Sequence, residues 1–92
     1  YKFIFVSDDP DYVESHYLHI SNKVVSREDE ITDFQIMQNA DVLIMANSTF
    51  SWWGGWLNKK VNKRIIAPKY YLGFKVQREY PLKIYPDNWE LI

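Results

Sequence analysis

Val42-Leu43-Ile44-Met45-Ala46-Asn47-Ser48-Thr49-Phe50-Ser51-Trp52-Trp53-Gly54-Gly55-Trp56-Leu57-Asn58 is the stretch that decides the fold. Val42–Ala46 is apolar at every position, the pattern of a strand covered on both faces, and predicts a central strand of a parallel sheet. Asn47-Ser48 ends the strand, and Phe50–Asn58 reads as a helix carrying three tryptophans. Working outward, Lys2–Val6 and Lys23–Val25 read as earlier strands, and Arg64–Ala67 as a later one stopped by Pro68. Between them, Asp11–Leu18 reads as a helix with Pro10 at its first position. Asp33–Asn39 reads as another, with Thr32 as its N-cap. From Lys69 onward the chain is aromatic and irregular, interrupted by Pro81 and Pro86. The order β-α-β-α-β-α-β predicts an open, doubly wound α/β domain with a parallel sheet.

The 92 residues allow one small domain, 1–92. A domain of this size buries only about two thirds of the surface its unfolded chain exposes, so its stability margin is thin. Aromatic residues make up 17% of the chain, an excess that predicts either a dense core or rings that face a partner domain. With 11 basic and 12 acidic side chains, no basic face of the kind that binds nucleic acid is expected. No apolar run approaches the length of a membrane span. The absence of cysteine excludes disulfides and thiolate metal sites and fits a reducing compartment. The chain opens at Tyr1 directly on an apolar run, which reads as a fragment of a longer protein cut at a domain boundary.

Ligands of open parallel sheets bind beyond the carboxyl ends of the strands, which selects two places. At Asn47-Ser48-Thr49-Phe50-Ser51 a helix begins just after a buried strand. Its unpaired N–H groups, its dipole and its hydroxyls suit a phosphate. The plainer reading is a capped helix, since Asn and Ser are favoured caps whatever the function. Capping does not account for Trp52-Trp53-Gly54-Gly55-Trp56. Each glycine inside a helix costs about 1 kcal/mol against alanine, and small residues there usually let another element approach closely. At Ser7-Asp8-Asp9-Pro10, carboxylates can accept hydrogen bonds from guanine or ribose. One of the two acids is accounted for as the cap of the Pro10 helix, and the other is spare. Asp33 is a third candidate, with a helix first turn as the alternative reason for its charge.

His16 and His19 read as surface or half-buried residues, and Lys59, Lys60, Lys63 and Arg64 as cations favoured near a helix C-terminus. Tyr70, Tyr71 and Phe74 read as packing residues. No glycine-rich phosphate loop and no metal-ligand spacing occurs.

Phe5-Val6-Ser7-Asp8-Asp9-Pro10, Asp33–Met37, Ala46–Asn58 and Ile65-Ile66-Ala67-Pro68-Lys69 follow one another in an order and spacing that resembles the C-terminal part of glycosyltransferase family 11, the α-1,2-fucosyltransferases. Pro86-Asp87-Asn88-Trp89 resembles the end of that family's chains. The tryptophan block is the specific part of the match. The resemblance implies a GT-B architecture, two Rossmann-like domains facing each other across a cleft, with this chain as the C-terminal, GDP-fucose-binding domain. It implies that Ser48, Thr49, Phe50 and Ser51, next to Asn47, line the diphosphate, that Asp9 with Asp8 contacts the guanosine, and that Asp33 is a neighbour of the site. It implies no metal or other cofactor.

The partners implied are GDP-fucose, a galactose-containing glycan acceptor and the N-terminal domain of the same enzyme. For a bacterial enzyme the place implied is the cytoplasm or the membrane periphery, and for a eukaryotic one the Golgi lumen. The family's His-x-Arg-Arg-Gly-Asp segment, whose arginine is expected to neutralise the leaving diphosphate, does not occur in these residues. The chain alone is therefore expected to be inactive. Two rival readings remain. A signalling receiver domain requires an acceptor Asp at the end of a middle strand, where Val24-Val25 is instead followed by Ser26-Arg27. A carbohydrate-binding module calls for mostly antiparallel strands.

Overall fold

The computed structural model of the chain describes residues 2–71, 75–78 and 83–92. Phe74 and Pro81, singled out above, lie outside the described residues. The elements are β1 (Phe3–Phe5), α1 (Pro10–His16), β2 (Lys23–Val25), α2 (Glu30–Gln38), β3 (Val42–Ile44), α3 (Thr49–Trp56), β4 (Arg64–Ala67) and β5 (Glu90–Leu91). Among the described residues every strand pairing is parallel: β1 with β2, β3 with β4, and β4 with β5. These residues form a small α/β structure with short parallel sheets and three helices. The parallel pairing is the opposite of what a carbohydrate-binding module calls for. The chain divides into two compact units, Tyr1–Asp33 and Phe34–Ile92.

In the first unit β1 and β2 form a two-stranded sheet with Phe3 opposite Lys23 and Phe5 opposite Val25. Helix α1 starts where the sequence places it, because Asp9 caps it and Pro10 needs no N–H partner at that position. It ends at His16, two residues before the predicted end. Tyr17 closes it with a bond from its N–H to the Val13 carbonyl and then leaves the helical region.

Helix α2 corrects the expected cap. Asp29, not Thr32, ends the preceding loop, its carboxylate accepting the Thr32 N–H at 2.8 Å. The helix therefore begins at Glu30. Both residue types cap well, but only the aspartate adds a negative charge at the positive end of the helix dipole. The same hydrogen bond from the Thr32 backbone holds the Asp29 carboxyl below its ordinary pKa.

In the second unit the sheet order is β3-β4-β5. Within this three-stranded sheet β4 lies between β3 and β5, and Ile44 of β3 is 67% exposed. The reason lies in the tail, where Glu90-Leu91 adds a strand to β4 with Ile66 opposite Glu90 and Ala67 opposite Leu91. Arg64 and Glu90 clamp this pairing with two hydrogen bonds of 2.9 and 2.7 Å. Both side chains are about half exposed, so the clamp is weak.

The core of the unit is Met45, Ile65, Ala67, Tyr71 and Trp89, with Leu43, Trp52, Ile84 and Tyr85 packed around it. Trp52 lies 5.6 Å from Trp89, and Tyr85 lies 5.8 Å from Trp89, ring centre to ring centre. The aromatic excess is only partly spent here, since Phe50, Trp53 and Trp56 on α3 stay exposed.

Tyr85 donates from its hydroxyl to the Pro68 carbonyl at 2.6 Å, and burial pushes its pKa up from 10 to about 12. A folded-state pKa raised above the unfolded one gives stability that is complete below pH 10 and lost as the pH rises toward 12. Alkaline unfolding is therefore expected to set in above pH 10 and to be shallower in Tyr85→Phe. Circular dichroism at fixed urea across pH 8–12 checks it, and identical slopes for the two proteins would contradict it.

Helix α3 ends at Trp56 rather than at the predicted Asn58, and Asn58 has a different task. Its buried amide donates to the Met37 carbonyl at 2.8 Å and the Ala40 carbonyl at 2.9 Å, while its carbonyl oxygen accepts the Lys60 N–H at 2.9 Å. Asn58 thereby adds a bond to the Met37 carbonyl, which also accepts the Ala40 N–H at 3.4 Å, and satisfies the Ala40 carbonyl just past the end of α2. Asn58→Ala leaves the Ala40 carbonyl without its Asn58 partner and is expected to cost about 1–3 kcal/mol, read as a lower urea midpoint at constant slope. A loss below about 0.5 kcal/mol, the size of an ordinary surface change, would show the two bonds to be dispensable.

Candidate functional site

The site begins with the backbone at the start of α3. Ser48 is the N-cap, extended at φ −144° and ψ 145°, and its hydroxyl oxygen accepts the Ser51 N–H at 3.1 Å. The Ser51 hydroxyl has a single proton, and the carbonyls of Ala46 at 3.0 Å and Ser48 at 3.1 Å are in place to take it. In the 2.8 Å contact between the two hydroxyls, Ser48 is then the donor. Both serine hydroxyls are thus spent inside the cap, and Ser51 is buried.

What remains is set by helix geometry. The first bond of the turn runs from the Trp52 N–H to the Ser48 carbonyl. The N–H groups of Thr49 and Phe50 therefore have no intrahelical acceptor. As first-turn amides they lie at the positive end of α3, and Thr49, Phe50 and Asn47 are all exposed. Two unpaired amides and a helix dipole form an arrangement that accepts an oxyanion.

The structure also resolves the acidic pair. Asp9 is the capping member, its carboxylate accepting the Tyr12 N–H at 3.2 Å while its own N–H donates to the Ser7 hydroxyl at 3.0 Å. Asp8 has no such duty and is exposed. This turn belongs to the unit Tyr1–Asp33, and Asn47–Ser51 to the unit Phe34–Ile92. Asp33 does not face solvent. It is 8% exposed and accepts a short hydrogen bond from the Ser26 hydroxyl. That bond gives the buried carboxylate the partner it needs and ties the end of β2 to the first turn of α2.

The weaker candidates have structural partners. His16 stacks on Tyr12 at 3.8 Å and is exposed. His19 is exposed as well. Lys60 pairs with Asp41 at 3.5 Å, and Lys63 donates to the Asn58 carbonyl at 2.7 Å. Tyr71 packs in the core, and Tyr70 lies beneath the Lys69 ammonium, 5.5 Å from its ring centre.

Beside the start of α3 lies a cavity of about 210 Å³ lined by Thr49, Trp52, Trp53, Tyr71 and Ile84. The sequence pattern marks Thr49 and the tryptophans. It does not mark Ile84, which arrives from a distant segment without periodicity. The indole Nε1 of Trp52 is buried and has no acceptor among the described residues. A donor left in that state costs about 1–3 kcal/mol.

No solved structure matches the chain. Its sequence is 35% identical over 91 residues to the O-antigen biosynthesis glycosyltransferase WbnK of Escherichia coli, covering 94% of this chain and 28% of that one. It is also 35% identical over 75 residues to an alpha-1,2-colitosyltransferase of Escherichia coli, covering 72% of this chain and 24% of that one. The chain thus spans about a quarter of the length of these curated relatives. No helix among the described residues is long and apolar enough to cross a membrane. The profile of glycosyl transferase family 11 matches residues 1–92, a match that sets the receiver-domain reading aside. The chain belongs to glycosyltransferase family 11.

Proposed function

We propose that these residues form the nucleotide-sugar donor site of an inverting glycosyltransferase that moves a fucose-like sugar from its GDP donor to a galactoside hydroxyl. The observation that carries the reading is the start of α3, where the exposed first turn leaves two amides without an intrahelical acceptor in a protein of this family. The diphosphate lies there, held by the N–H groups of Thr49 and Phe50, while Ser48 and Ser51 keep that turn rigid. Asp8 and Asp9 receive the guanosine, and Asp33 supports the neighbouring helix from inside. The relative named as an alpha-1,2-colitosyltransferase supports transfer that forms a 1,2 linkage.

In the reaction the acceptor hydroxyl oxygen bonds to the anomeric carbon from the face opposite the diphosphate. The carbon–oxygen bond to the phosphate breaks, GDP departs with the electron pair, and the acceptor hydroxyl gives up its proton. The helix dipole and the two amides stabilise negative charge as it grows on the diphosphate. The arginine of the family's His-x-Arg-Arg-Gly-Asp segment completes that neutralisation, and this chain lacks it. We therefore propose a Rossmann-like half of a GT-B enzyme, metal-independent, at the cytoplasmic face of a bacterial membrane, and inactive by itself.

Titration with GDP and with UDP, followed by amide resonances, tests this. GDP is expected to shift Asp8, Asp9, Thr49 and Phe50 at concentrations where UDP does not. Silence toward GDP, or an equal response to both nucleotides, refutes the donor assignment. Fucosyl transfer by the purified chain alone refutes its proposed inactivity.

A further inference from the structure

We infer that the outer face of α3 and the basic turn that follows it form a docking surface for anionic lipid; this rests on the membrane placement proposed above and is independent of the donor site. The first observation is what α3 turns outward. Its buried residues are Ser51, Gly54 and Gly55. Trp53, Trp56 and Leu57 lie around the opposite side of the helix, and each is about half exposed. An ordinary surface helix carries charged residues on that side, yet no residue from Thr49 to Trp56 is charged. The apolar surface continues along the chain to Val61, which is 95% exposed. Single exposed apolar residues are normal, whereas a run of them marks a place where something docks.

Charge says what docks. The formal charge of the chain is −1, but its charges are segregated. Between Val42 and Arg78 there are seven lysines and arginines and no aspartate or glutamate. Four of the seven, Lys59, Lys60, Lys63 and Arg64, flank Val61 within six residues. Asp41 pairs with Lys60 and Glu90 with Arg64, which leaves two positive charges in excess at this turn. Over the unit Phe34–Ile92 there are eight basic and four acidic side chains, against three and eight in Tyr1–Asp33.

Tryptophan beside lysine suits the boundary of a bilayer. The indole rings sit at the headgroup level, the ammonium groups meet lipid phosphates, and the apolar side chains reach the acyl region. A second copy of the chain fits less well. A two-fold contact sets the same patch against itself, and would bring two basic turns of like charge together.

The test mixes the 92-residue chain with phosphatidylcholine vesicles that contain or lack phosphatidylglycerol. The chain is expected to sediment with the anionic vesicles only, and less of it as salt rises. Brominated acyl chains are expected to quench its tryptophan emission, because Trp53 and Trp56 reach the acyl boundary. Lys59→Glu and Val61→Glu alter exposed positions, so their unfolding midpoints are expected to stay unchanged. Each is expected to weaken binding about tenfold or more, since a negative charge enters a surface that faces anionic lipid. Trp56→Ser is expected to reduce the quenching; should it not fold, the quenching of the unaltered chain and the two glutamate variants decide the matter.

No binding to anionic vesicles overturns both the surface and the membrane placement, and leaves this face to another part of the enzyme or to a second copy. Binding that survives both glutamate variants, or that occurs without quenching, overturns the surface while the membrane placement stands. Neither result alters the outcome of the GDP titration, which tests the donor site alone.

Discussion

Replacing Gly54 with valine is expected to remove about 3 kcal/mol or more of stability, a large share of the roughly 5–15 kcal/mol a small domain possesses. A Cβ on Gly54 would stand 2.8 Å from the Met37 Cβ and 2.9 Å from its sulfur. The sulfur can swing away. The Cβ is fixed to the α2 backbone, so relief requires moving one helix from the other. That movement would pull on the Asn58 bonds to Met37 and Ala40 and open the contact on which both helix ends depend.

Gly55 provides the comparison. A Cβ there would meet Ile65 Cγ2 and Trp89 Cη2 at 3.2 Å, a tight contact with buried core side chains but not with an atom fixed to a neighbouring helix backbone. Gly55→Ala also gains about 1 kcal/mol of helix propensity, so it is expected to be close to neutral. Urea unfolding of the two variants, followed by tryptophan fluorescence, checks the contrast. Equal losses at the two positions would contradict it.

Trp89→Ala is expected to cost about 3–5 kcal/mol, the range for deleting a buried large aromatic. Its ring contacts Trp52 and Tyr85 and covers Gly55, and it is the last core residue before β5. Without it the Glu90-Leu91 strand loses its anchor against the core, since the remaining Arg64–Glu90 clamp is half exposed and weak. The variant is expected to show a lower unfolding midpoint and early exchange of the Ile92 amide, which donates to the Ala67 carbonyl at 3.0 Å. A loss under about 1 kcal/mol would mean the core closes without Trp89.

The helices and most strands were readable because their signals are local. Asp9 and Pro10 mark a helix start without reference to the rest of the chain, and Lys23–Val25 and Arg64–Ala67 stand in the structure as the apolar runs predict. Glycines in a tryptophan-rich helix pointed to close approach, and Gly54 against Met37 is that approach. The place of β3 in its sheet was not readable, because it depends on a two-residue strand more than 45 positions away. Nor was the role of Asn58, whose value comes from carbonyls 18 and 21 residues distant.

At the candidate site, sequence gave the cap but not the division of labour within it. Ser48 and Ser51 carry the residue type that grips phosphate, yet their hydroxyls face each other and the backbone. Which residue of the Asp8-Asp9 pair caps α1 likewise needed the geometry of the Tyr12 amide.

The central claim is that the free amides at the start of α3 bind the diphosphate, and one substitution addresses it almost alone. Thr49→Pro removes the Thr49 N–H at a position where proline suits a helix, and Ser48 already has the extended backbone that precedes proline. The helix is expected to survive, with an unchanged unfolding midpoint. Thr49→Val serves as the partner variant, keeping the N–H and removing only the hydroxyl. One charge-assisted hydrogen bond is worth about 1.5–3 kcal/mol, or roughly a tenfold to hundredfold change in affinity. Calorimetric titration with GDP is expected to show that loss in Thr49→Pro and a smaller one in Thr49→Val. A folded Thr49→Pro chain that binds GDP as tightly as the unaltered protein would contradict the account.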